Sequence, residues 1–107
     1  MEHSEFAIGR AFTTGHSLWR CTDVGTRTVV AIRLDRAETV SVVVRGGKPG
    51  PETTAVIDPR DDPSWHNGPP YAAAETVFDE YDFPACLPVA EGDVAAWTPE
   101  RERDRRR

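Results

Sequence analysis

No stretch of this chain approaches the roughly 20 consecutive apolar residues that cross a bilayer, and the opening MEHSEFAIGR has neither the basic segment nor the apolar run of a secretory signal. Membrane insertion and export are not expected, and the chain reads as cytoplasmic. Cysteine is scarce: Cys21 and Cys86 are the only two, and a lone pair without an export signal is expected to stay reduced. Histidine is limited to His3, His16 and His66, and no Cys-x2-Cys or His-x3-His spacing gathers these residues into a metal site. Lysine is nearly missing, with Lys48 alone among 13 basic residues; arginine in its place, with frequent alanine and proline, fits a GC-rich bacterial genome.

Reaction signatures are missing as well. There is no Gly-x-Ser-x-Gly elbow, and His16 beside Ser17 is adjacency only. Gly46-Gly47-Lys48 runs into Pro49 with no helix to receive a phosphate. The sequence therefore leans against an enzyme and nominates no catalytic residue, metal or cofactor. A small ribonuclease-type toxin, with His16 or His66 as base and an arginine holding phosphate, stays open as an alternative by fold-level analogy.

What is present is the material of one small β domain. At 107 residues the chain holds a single core, and 38% hydrophobic against 29% charged residues makes that core thin. Leu18 to Leu34 reads as a β-hairpin around Asp23-Val24-Gly25-Thr26. Alternation assigns Trp19, Cys21, Thr28, Val30, Ile32 and Leu34 to the core face. Arg20, Thr22, Arg27 and Arg33, with Val29 and Ala31 between them, fall on the solvated one. Phe6, Ile8 and Phe12 share a parity and suit a first strand ending near Thr13-Thr14-Gly15.

Thr39 to Arg45 and Glu52 to Asp58 are β-branched runs around the loop Gly46 to Pro51, a second hairpin that protrudes or packs as an added ribbon. Pro59 to Pro70 reads as a long ordered loop, because proline cannot donate to a ladder. Residues 71–82 fit either a helical stripe of Tyr71, Ala74, Phe78 and Tyr81 or a closing strand around Val77-Phe78; the strand is favoured. The expected fold is mainly β, a small single-domain barrel or sandwich, SH3-like, of five to six short strands. Residues 1–88 form the domain, with the hairpin 39–58 inserted, and residues 89–107 a disordered tail whose end, TPERERDRRR, alternates charges.

The blocks WRCTDVGTRTVVAI (Trp19 to Ile32), DPSWHNGPPYA (Asp62 to Ala72) and VFDEYD (Val77 to Asp82) resemble those of a group of uncharacterised short bacterial proteins. The resemblance spans about half the chain and implies one shared fold. It assigns no reaction, ligand or partner, so no functional residue is carried over.

Charge separates the binding readings. The chain is at −5; residues 98–107 hold five arginines against three acids, which leaves residues 1–97 at −7. Such a body repels phosphate, so nucleic-acid binding would have to use Arg20, Arg27 and Arg33 or the tail Arg101 to Arg107. The carboxylates Glu75, Asp79, Glu80 and Asp82 instead suit a basic protein partner, with Trp65, His66 and Tyr71 of the proline-rich loop as anchors. The expectation is a non-catalytic acidic interaction protein, in its sharper form an inhibitor of host defence machinery encoded by a mobile element. A nucleic-acid-associated small β-barrel is the runner-up. Oligomeric state is not legible.

Overall fold

The computed structural model describes the backbone of all 107 residues, and the side chains of all but residues 38–45, 49 and 51–54. In chain order it contains β1 (Ala11–Thr13), β2 (Leu18–Val24), β3 (Val29–Arg33), β4 (Ala37–Arg45), β5 (Lys48–Ile57), β6 (Glu75–Phe78), β7 (Leu87–Val89) and a helix, α1 (Pro99–Arg105). The fold is mainly β, as expected. A five-stranded antiparallel sheet runs β6-β3-β2-β1-β7 and does not close on itself, while β4 and β5 pair only with each other.

The hairpin of β2 and β3 is the one read from the sequence, but its pleat is not. Asp23 pairs with Val30, the register that simple alternation requires; one step on, Cys21 pairs with Ala31 and Trp19 with Arg33, so Thr22 is an extra residue. A one-residue bulge exchanges the faces of everything beyond it. Val29 and Ala31, expected in solvent, are therefore fully buried with Cys21, Phe12 and Phe78 on one face. Leu18 and Leu34 pack with Ala11, Val89, Val94 and Trp97 in a second cluster. The sheet is covered on both sides, which explains how a thin sequence builds a core from so few strands.

The first strand is shorter than expected. Residues 3–5 form a 3-10 turn closed by reciprocal hydrogen bonds between Glu2 and Glu5. Phe6 tucks against Phe12 and Phe83, and Ile8 stands 68% exposed, so the shared parity of these residues is not that of one strand. The second hairpin is present and longer than read. Gly46 and Gly47, at φ +58° and +76°, turn the chain in two residues, and the conformation favours glycine at both positions. The molecule extends 54 Å along its longest axis, and its radius of gyration, 16.1 Å, exceeds the ~13 Å of a compact chain this long.

Pro59 to Pro70 is ordered by two 3-10 turns, Pro59–Asp61 and Pro63–His66. Asp58 and Asp62 cap them by accepting from the Arg60 and Ser64 amides, each with proline in the first turn. Arg60 also donates to the Val94 and Trp97 carbonyls at 2.9 and 2.8 Å, fastening the loop to the C-terminal segment. Of residues 71–82, the favoured strand is present but limited to β6.

The expected disordered tail is instead folded. β7 is a sheet strand, Val94 and Trp97 are buried, and α1 begins at a Thr98 cap whose hydroxyl accepts from the Arg101 amide. Glu102, 1% exposed, is the anchor. Its carboxylate accepts from Thr13 Oγ1 (2.6 Å), Trp97 Nε1 (3.3 Å), Arg105 Nε (3.0 Å) and Arg106 Nε (2.8 Å). The guanidinium of Arg105 continues to the Pro88 carbonyl, and that of Arg106 to the carbonyls of Thr13 and Ala85. Charge alternation in this segment thus marks a clasp across β1 and β7.

Candidate interaction surface

The three arginines of the expected nucleic-acid face do not share one. Arg20 lies level with Ile32 and Arg33 level with Trp19, on opposite sides of the sheet, and Arg27 sits in the turn after β2. Each guanidinium is held by a carboxylate: Arg20 by Glu91 at 2.8 Å, Arg27 by Glu80 at 2.9 Å and Arg33 by Asp35 at 2.9 Å. Within the tail, Arg105 and Arg106 are engaged with Glu102. The electrostatic footprint of a phosphate-binding surface, cations clustered on one face, is not what these residues form.

The residues nominated for a protein partner divide into two places. Glu75 and the turn Asp79 to Asp82 lie at opposite ends of β6, about 13 Å apart at 3.3 Å per residue. At the far end, Asp79 accepts from the Tyr81 amide and Asp82 from the Asp79 amide, so two carboxylates shape the turn that carries them. Hydrogen bonds from Arg27 hold the Glu80 carboxyl below the usual range. The turn leaves Tyr81 93% exposed. A shallow cavity of about 280 Å³ opens between Tyr81, Glu80 and Arg27.

At the near end, Glu75 accepts from the Thr22 hydroxyl at 3.1 Å. Trp65 lines a cleft of about 330 Å³ with Trp19, Arg33, Ala73 and Thr76. Tyr71 is half-buried beside Gly68, where even a Cβ would come within 2.8 Å of its ring. His66 is turned inward: its Nε2 lies 3.3 Å from the Arg33 carbonyl, which can only accept, so that nitrogen carries hydrogen. Burial pushes its pKa down, so the ring is neutral at physiological pH. Trp65 therefore lines the cleft, His66 is held at the Arg33 carbonyl and Tyr71 beside Gly68, and none of the three lines the cavity at the acidic turn.

Val77, which the sequence places in a closing strand, is not among the residues it nominates for a partner. It is 62% exposed while its neighbour Phe78 is 7% exposed, the alternation of a strand with one free face. The pattern Glu-Thr-Val-Phe carries that signal once residues 75–78 are taken as a strand with Phe78 inward.

Both cysteines are free and buried, and burial pushes both thiols above their ordinary pKa. Thiolate, the reactive form, is thus suppressed. Alkylation of the native protein at pH 8 should be slower by about a hundredfold or more than in denaturant; comparable labelling rates would show that the cluster around Cys21 and Cys86 opens readily.

Among the described residues no group of three or more His, Cys, Asp or Glu is placed to hold a metal ion, and no helix is long and apolar enough to cross a membrane. Comparison with protein-family models, curated proteins and solved structures finds no match for this chain.

Proposed function

We propose that this chain is a non-catalytic interaction protein that occupies a basic surface of another macromolecule with its acidic segment 75–82. The observation that carries the reading is the contrast in how charge is used. The arginines of the sheet are spread over different faces and ion-paired, whereas residues 75–82 gather four acids, of which Glu80 is the one paired with Arg27, together with the exposed apolar groups of Val77 and Tyr81. Exposed apolar groups beside polar residues, aromatics above all, are a common feature of protein-docking patches. An inhibitor of host machinery is the narrower form of this function, since a small acidic body competes for basic surfaces.

The test removes charge without removing shape. Asp79 and Asp82 hold their turn as hydrogen-bond acceptors, so Asp79→Asn and Asp82→Asn, combined with Glu80→Gln, keep acceptors in place. In affinity capture from the source cell, the native chain should retain a specific protein that the triple variant loses by roughly tenfold or more, with raised salt weakening the native capture similarly. The variant's circular dichroism should be unchanged. Equal capture by both chains would refute the assignment.

A further inference from the structure

β6 ends the sheet, paired with β3 alone, and one row of its main-chain groups faces outward. The opposite edge is closed differently. β7 contains Pro88, which has no amide hydrogen to donate, and the Pro88 carbonyl accepts from Arg105 Nη1 at 2.8 Å. The sheet thus has one guarded edge and one whose central residue is an exposed valine.

The register tells what such an edge would read. Val77 is level with Val30 and Glu75 with Ile32, so Glu75 and Val77 project from one face, two residues apart, and Asp79 follows directly after the strand. An added strand would set one side chain beside Val77 on this face and others, two residues before and after it, near Glu75 and Asp79. Charge complementarity fixes their nature, giving a pattern of basic, any, apolar, any, basic. On the other face Thr76 borders the Trp65 cleft, which has room for the intervening side chain. A second copy of this chain suits the edge poorly, because pairing β6 with β6 would bring the acids at 75, 79, 80 and 82 of both copies together.

Resting on the interaction reading above, we propose that β6 takes up an extended segment of its partner as a sixth strand, recognising arginine or lysine on either side of an apolar residue. Main-chain hydrogen bonds supply attachment and the alternate side chains supply selectivity.

The probe is a fluorescent TRTVTRT peptide, titrated against the whole chain by anisotropy. Saturable binding is expected, weakened about tenfold by Glu75→Gln with Asp79→Asn, and accompanied by slowed amide exchange within residues 75–78. N-methylation at the peptide residues that bond to β6 should abolish binding, and N-methylation at the alternate residues should leave it. No binding, equal binding of both methylated peptides, or self-association through β6 that the peptide does not displace would overturn the proposal. If the peptide fails while the Asp79, Glu80 and Asp82 triple variant still loses its captured protein, strand addition falls and the acidic docking function stands. If the triple variant keeps that protein, the function itself falls.

Discussion

Replacing Glu102 with alanine is expected to lower the unfolding free energy by about 3 kcal/mol, a large part of the ~5–15 kcal/mol that holds a domain of this size. The carboxylate is sealed from water, and its oxygens collect hydrogen bonds from Thr13, Trp97, Arg105 and Arg106. Removal does not strand all four donors equally. The side chains of Arg105 and Arg106 are 43% and 27% exposed and recover water. Trp97 is 5% exposed and its indole N–H loses its acceptor, while Thr13, fully buried, loses a carboxylate partner. The loss therefore lies at the lower end of what breaking a buried ion pair costs. Denaturant titration should show a lower midpoint, with residues 87–107 losing amide protection first. Glu102→Gln, which keeps the shape and an acceptor for Thr13, should cost less than half as much. An alanine variant as stable as the native chain would mean that α1 contributes nothing to the fold.

The same carboxylate makes stability depend on acid. Burial by itself would raise its pKa and is the largest influence, but the hydrogen bonds from Arg105, Thr13 and Trp97 together outweigh it and leave the group below the ordinary glutamate range. A carboxyl whose folded pKa is depressed stabilises the native state fully above its unfolded value, about 4.3, and loses that contribution as pH falls through the folded value. Asp58, held low by Arg60, and Glu91, held low by Arg20, act with the same sign. Unfolding should accelerate below about pH 4.5, and Glu102→Gln should flatten the dependence. An unchanged slope would move the acid sensitivity to the Asp58 and Glu91 pairs.

Local pattern revealed the hairpin at 18–34, the ribbon beyond it and the strand around Val77, because each depends on β-branched runs and nearby turn residues. It did not reveal the bulge at Thr22, since one extra residue in a strand has no signature in alternation, and its effect was to reverse the assignment of Val29 and Ala31. The tail was misread for a different reason. Thr98-Pro99-Glu100 is a good helix start, with arginines placed for the last turn, but the groups that hold α1 down are Thr13, Ala85 and Pro88, far away in the chain. The candidate site shows the same limit. Arg27 and Glu80 are 53 residues apart in sequence and form one ion pair, a fact that removes a cation from the expected phosphate face and fixes the acidic turn.

Phe12→Ala is expected to cost about 4 kcal/mol, the largest loss from any single truncation on the Phe78 side of the sheet. Phe12 is fully buried at the centre of β1, between Trp19 of β2 and Pro88 of β7 in the register. Its ring meets Phe6 and Phe78 edge-on, with centroids 5.1 and 5.4 Å away. Phe6 continues to Phe83 at 4.9 Å and Phe78 to Trp19 at 4.9 Å. The five rings form a chain with Phe12 in its middle, so truncation leaves a void and separates the N-terminal segment from the edge strand. Phe83→Ala, 5% exposed, removes a ring of the same size but breaks only its contacts with Phe6 and His3, neither of which lies in a strand; it should cost clearly less. Phe12→Leu refills most of the volume and should recover more than half of the loss. Equal losses for Phe12→Ala and Phe83→Ala in denaturant titrations would show that buried area alone sets the stability of this face. A larger loss at Phe12, with faster amide exchange in both residues 6–9 and β6, would show that the ring chain couples the docking edge to the rest of the core.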